Sequence, residues 1–147
     1  MSDTAAVTAW EALFRAQVAV MRRLAADFPD GDIALSDYDV LFTLSRAPEH
    51  SLRMRDLGES ILLSQPSVSR LVDRLAARGL VAKRPDPDDG RGVIAELTDA
   101  GEAAFRRAAV QHMRSISARV GGVLDDAELA RLTELCDKLR LGSPRDT

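Results

Sequence analysis

Residues 51–101 read SLRMRDLGESILLSQPSVSRLVDRLAARGLVAKRPDPDDGRGVIAELTDAG. Within this stretch Leu52 to Ser60 has the spacing of a short helix, and Ile61-Leu62-Leu63 follows as a loop. Ser64 caps a second helix that reaches Arg78, and Gly79 supplies its C-terminal stop. Val81 to Arg84 and Val93 to Leu97 alternate as short strands, joined by a tip from Asp86 to Gly92 that is rich in Pro, Asp and Gly. Thr98 or Asp99 then opens another helix. Helix, turn, helix and basic hairpin in this order predict a winged helix-turn-helix. That device sets one helix in the DNA major groove and a loop beside it. The expected chemistry is reversible DNA binding.

Both flanks are predicted helical. Over residues 4–28, Val7, Trp10, Phe14, Val18, Met21, Leu24 and Phe28 recur at three- and four-residue steps, until Pro29-Asp30-Gly31 ends the helix. A helix from Asp37 to Arg46 follows, with Ser36 as its N-cap and Ser36-x-x-Asp39 as a capping box. The helix opened by Thr98 or Asp99 runs to about Val120 and buries Phe105, Ala109, Met113, Ile116 and Val120; Gly121-Gly122 breaks it. Asp125-x-x-Glu128 is a capping box for a last helix carrying Leu129, Leu132, Leu135, Cys136 and Leu139. A winged helix has its own core, so the terminal stripes have little to cover them except a second copy of themselves. The expected fold is mainly α, a winged helix-turn-helix with a two-stranded β wing plus a helical dimerisation lobe from both chain ends. The reading domain is expected over 35–98 and the lobe over 1–34 and 99–147.

Composition narrows the function. Aromatics are only 4% of the chain, so the core must be Leu, Val and Ala, which favours helices. No apolar run approaches the roughly 18 residues a membrane span needs. The start MSDTAAV offers no secretion signal, and a single Cys suits a reducing compartment, so a cytoplasmic protein is expected. His50, His112 and Cys136 lack a metal-ligand spacing, and no Gly-x-Ser-x-Gly, His-Glu-x-x-His or phosphate-cradling loop occurs. No enzyme, metal or cofactor is therefore expected. Cys136, late in a helix among Leu135, Asp137 and Leu139, reads as a buried, inert thiol. The net charge of −3 opposes a simple DNA-binding reading, yet residues 52–92 carry +2 while 1–51 carry −4 and 93–147 carry −1. The acidic total keeps open an alternative, a winged-helix module for protein interaction without DNA binding.

On the helix capped by Ser64, Val68, Leu71, Val72 and Leu75 share one face and must sit on the core. Ser64, Gln65, Ser67, Ser69, Arg70 and Arg74 are then the residues offered to DNA. Gln can pair with adenine through two hydrogen bonds, Ser can read either edge, and Arg takes guanine or phosphate. At the hairpin tip Arg91 stands between Gly90 and Gly92, free of steric collars and suited to a narrow minor groove. Asp86, Asp88 and Asp89 would repel phosphate there unless Arg84 or Arg91 pairs with them.

Ser64-Gln-Pro-Ser-Val-Ser-Arg-Leu-Val-Asp-Arg-Leu, Gly79-Leu-Val, Arg84-x-Asp86-x-x-Asp89-x-Arg91-Gly and Leu97-Thr-x-x-Gly101 together resemble the multiple-antibiotic-resistance regulator (MarR) family. The likeness runs over nearly the whole chain. It implies a dimeric transcription regulator, usually a repressor, on a pseudo-palindromic operator in double-stranded DNA. Many members release DNA when a small phenolic or anionic ligand binds between the dimer lobe and the reading lobe. Gly90 departs from the pattern, standing where many members have a second Arg. Urate-responsive members combine a Trp on the first helix, an Asp on the second and two Arg near the reading helix and first strand. Trp10, Asp39 and Arg70 match these, and Lys83 stands at the second Arg position. The resemblance thus implies Trp10, Asp39 and Lys83 as ligand residues, beside the simpler capping role for Asp39.

Overall fold

The computed structural model describes residues 3–142. Six helices and three strands follow in the order α1 (Asp3–Asp27), α2 (Leu35–Arg46), β1 (Ser51–Arg53), α3 (Met54–Ser60), α4 (Gln65–Ala77), β2 (Val81–Asp86), β3 (Asp89–Leu97), α5 (Asp99–Arg119) and α6 (Asp126–Leu141). The chain divides into two compact units. One holds residues 28–111; the other draws on both ends, with residues up to 27 and from 112.

The central unit has the core. Val40, Leu41 and Leu44 of α2, Leu57 of α3 and Val68, Val72 and Leu75 of α4 are wholly buried. Ala95 and Leu97 of β3 and Ala104, Ala108 and Ala109 of α5 close around them. Phe28, Tyr38, Phe42 and Phe105 gather at one side, with the Tyr38 ring stacked on Phe42 at 6.2 Å and on Phe105 at 5.1 Å. The small residues of α5 let it lie close. Gly101 shows how close, since a Cβ there would stand 2.0 Å from the Leu80 carbonyl oxygen. Thr98 fixes this corner: its hydroxyl donates to the Gly79 carbonyl (2.6 Å) and accepts from the Gly101 amide (3.0 Å). Gly79 turns the chain out of α4 at φ +74°, a conformation open to glycine at little cost.

The sheet has three antiparallel strands in the order β1-β3-β2, one more than the two-stranded wing expected. Ser51, Leu52 and Arg53 pair with Glu96, Ala95 and Ile94. The short helix accordingly starts at Met54 rather than Leu52. Three residues are too few for alternation to show, and only the distant β3 makes them a strand.

The hairpin also differs. Its strands run on to a two-residue turn at Pro87-Asp88, so Gly90, Arg91 and Gly92 lie in β3 and not at the tip. Pro85 pairs with Val93 but Asp86 pairs with Asp89, which leaves Gly90 to Gly92 as an unmatched bulge in β3. A further correction concerns α2. It begins at Leu35 on Ala34, and the carboxylate that accepts the Ala34 amide (2.9 Å) is Asp37. Asp39 therefore does not cap the helix.

In the terminal unit α1, the end of α5 and α6 are well formed but poorly covered. The Asp125–Glu128 capping box forms as expected, with reciprocal bonds of 3.1 and 2.8 Å. Asp27 clasps Arg119 through two 2.9 Å bonds and accepts from Ser115 at 2.6 Å. Of the described side chains in this unit only Leu24 and His112 are buried. Cys136, expected to be buried, is a half-buried free thiol. No helix among the described residues is long and apolar enough to cross a membrane.

Candidate nucleic-acid interface

Helix α4 is amphipathic as its sequence dictates. Val68, Leu71, Val72 and Leu75 are buried, and Gln65, Ser69, Arg70, Asp73 and Arg74 are exposed. Ser64 caps it, accepting from the Ser67 amide at 3.3 Å. Its hydroxyl also donates to Ser67 Oγ (2.9 Å), which accepts from Arg70 Nη2 (3.3 Å). Ser64, Ser67 and Arg70 thus form one hydrogen-bonded chain along the first two turns. Gln65 is tied elsewhere, its Nε2 donating to the Arg55 carbonyl at 3.3 Å. Pro66 follows it at the helix start, where no helical partner is missed.

Between the start of α4 and the bulge of β3 lies an open hollow of about 520 Å³. Gln65, Ser69, Lys83 and Arg91 line it, together with Arg53 and Arg55. The structure thus brings the reading helix and the wing arginine to one concavity. Arg53 and Arg55 were not among the expected contacts, and no local motif marks them. Arg74 is exposed farther along α4. Of the three expected ligand residues, Trp10 belongs to the terminal unit, with Asp39 and Lys83 in the central one.

Two of the three wing acids, Asp86 and Asp88, are neutralised by one cation. Asp86, with its side chain 1% exposed, meets Arg53 Nε at 2.7 Å, and Asp88 lies 3.5 Å from Arg53 Nη2. Its partner is therefore Arg53 and neither Arg84 nor Arg91; the third strand delivers this cation, and Arg84 faces Glu96 instead (3.6 Å). Asp89 accepts the Arg91 amide (3.1 Å) and Asp86 the Asp88 amide (2.9 Å), which holds the turn and bulge in shape. Lys83 Nζ is 2.5 Å from Asp73 Oδ1, fastening β2 to α4. Among the described residues no carboxylate lies within ion-pair distance of Arg70, Arg74 or Arg91. These cations remain available to an external anion. Asp39 is half-buried on α2, and burial raises its carboxyl above the usual range.

The MarR family profile matches residues 32–92, from the approach to α2 through the wing. The HTH-type transcriptional regulator YhbI of Bacillus subtilis is 32% identical over 108 residues, which span 74% of this chain and 68% of that one. The chain belongs to the MarR family. Among solved MarR structures, Sco3205 of Streptomyces coelicolor, in complex with DNA, superposes with a TM-score of 0.78 at 25% identity, over all of this chain and 93% of that one. BpsR of Bordetella bronchiseptica, whose DNA binding is regulated by 6-hydroxynicotinic acid, superposes with a TM-score of 0.76 at 25% identity, over 90% and 98% of the two chains. As a MarR-family protein the chain is a DNA-binding transcriptional regulator and not an enzyme. The expected family and fold both hold, although the acidic total charge pointed away from DNA binding.

Proposed function

We propose that the chain works as a homodimeric repressor that lays two copies of α4 in successive major grooves of a pseudo-palindromic operator. The observation that carries this is the pairing pattern of its cations. Arg53, Lys83 and Arg84 are engaged by carboxylates, whereas Arg70, Arg74 and Arg91 are not. Among the described residues Arg15, Arg22, Arg23, Arg46 and Arg114 lie in no ion pair either, but Arg70, Arg74 and Arg91 combine that with a place on the reading helix and the wing. Arg70 and Arg74 take phosphates, Gln65 and Ser69 reach base edges, and Arg91 enters the adjacent minor groove. Ser64 and Ser67 hold the helix start and present its amides to the backbone.

The dimer follows from the terminal unit. Trp10, Phe14, Met113 and Leu139 are each more than half exposed in the single chain. A second copy covers such a stripe with matching apolar groups.

For control, a small aromatic acid is the ligand class that fits. Its carboxylate competes with Asp73 for Lys83, and breaking that pair unfastens the wing strand from the reading helix. Asp39, a carboxyl that burial keeps easier to protonate, is its proposed neighbour. Trp10, the chain's one tryptophan, is the proposed reporter of binding.

The test is a titration of an inverted-repeat duplex from beside the gene, followed by anisotropy and sedimentation. Two chains per duplex and a steep loss of affinity with salt are expected. One chain per duplex, or equal affinity for a scrambled sequence, refutes the operator reading. A reporter gene that the protein activates through this site refutes repression.

A further inference from the structure

Gly58 sits inside α3, where glycine is a poor choice. Relative to alanine it costs a helix interior about 1 kcal/mol. No positive φ asks for it, since Gly79 is the glycine of the described chain in that region. The reason lies across the turn. A Cβ on Gly58 would stand 2.0 Å from Gln65 Nε2, 2.5 Å from its Cδ and 2.7 Å from its Oε1. The amide of Gln65 lies against the bare Cα, Nε2 nearest, and there its Nε2 donates to the Arg55 carbonyl at 3.3 Å.

We propose that Gly58 is a positioning residue for base specificity: it forms the seat that holds the Gln65 amide in one orientation before DNA arrives. The inference rests on Gln65 reading a base, as proposed above. With one N–H held by Arg55, Gln65 keeps Oε1 and its second N–H, the acceptor and donor that match the N6 and N7 edge of adenine. Holding that amide in advance avoids the entropy loss of ordering a long side chain at the interface. A methyl at position 58 closes the seat. The obstacle is the end of a flexible side chain, so the amide swings away and the backbone stays.

The two effects of Gly58→Ala then run in opposite directions. Helix propensity raises or preserves thermal stability, while reading becomes less selective. Binding to pools of half-sites randomised one position at a time, together with melting curves, is measured for wild type, Gly58→Ala, Gln65→Ala and the double variant. Wild type is expected to prefer adenine at one position per half-site. Gly58→Ala and Gln65→Ala each reduce that preference, by roughly 5- to 150-fold, the range one two-point base contact supplies. The double variant falls no further, and the salt slope and melting temperature of Gly58→Ala do not drop. Wild-type preference in Gly58→Ala, a loss spread evenly over all sequences, or a melting temperature that falls and is not restored in the double variant overturns the seat while leaving Gln65 as a reader. If Gln65→Ala itself leaves every preference unchanged, Gln65 is not a reader and the inference falls with it.

Discussion

Gly101 has no substitute at its position, because a methyl there would run into the backbone carbonyl of Leu80 and not into a movable side chain. Gly101→Ala is expected to lower stability by at least about 2 kcal/mol, read from denaturant midpoints. An unchanged midpoint would show that α5 can lift without loss. The arginines act by charge. Arg70→Ala, Arg74→Ala and Arg91→Ala are each expected to weaken binding to specific and random duplex alike. Each should also reduce the slope of log affinity against log salt by about one unit, as loss of one phosphate contact requires. A slope that stays fixed places that residue off the DNA.

Elements are joined by a few ion pairs, and these give separable effects. The paired hydrogen bonds from Arg119 hold the Asp27 carboxyl at about 2, below its ordinary 3.8. A carboxylate with a lowered folded value contributes stability above the unfolded value and loses it as pH falls toward the folded one. Wild type should thus lose stability between about pH 4 and pH 2 in part through this pair. Asp27→Asn should be less stable near neutrality and show a flatter acid limb in chemical denaturation. A limb of unchanged steepness would remove Asp27 from the account. In the wing, Arg53→Ala leaves the buried Asp86 without its cation. The expected cost is about 1–3 kcal/mol, below that of a fully buried pair because Arg53 is partly in water. DNA affinity should fall although Arg91 is intact, since the bulge that carries Arg91 depends on Asp86.

At the scale of the whole molecule, the terminal unit decides whether two reading helices act together. Leu132→Glu or Leu139→Glu is expected to shift the protein toward monomer in sedimentation and to weaken operator binding. Half-sites about 34–36 Å apart need two heads held at that spacing. A dimeric Leu139→Glu protein with full affinity would place the interface elsewhere. Control is a question of the same scale, because a ligand moves the binding equilibrium only by preferring one global state. Millimolar salicylate is expected to release wild type from DNA and to quench Trp10, and to act with lower potency on Lys83→Ala. Equal potency on both proteins removes Lys83 from the ligand site.

What local chemistry controls was legible in the residues alone. The apolar face of α4, its Ser64 cap, the Gly79 stop and the Asp125–Glu128 capping box each depend on neighbours within about one helical turn, the range over which helix periodicity and caps act. The exposed stripe of α1 was legible for the same reason, as was the need to cover it. Apart from the cap of α2, the places where expectation and structure part involve partners far apart in sequence. Ser51 to Arg53 become a strand only because β3, some forty residues later, offers them a ladder. Arg53 reaches Asp86 along that same ladder, which is why Arg84 and Arg91 were the wrong partners to expect. Asp37 took the cap from Asp39 because α2 begins at Leu35, leaving Asp39 a half-buried carboxyl of another kind. Gly58 drew no reading from the sequence; its place under Gln65 exists only once the turn brings α4 back over α3. Short-range hydrogen bonds and periodic burial are written into neighbouring residues; ladder register, ion pairing and steric seats exist only once distant segments meet, and tertiary packing alone decides which segments those are.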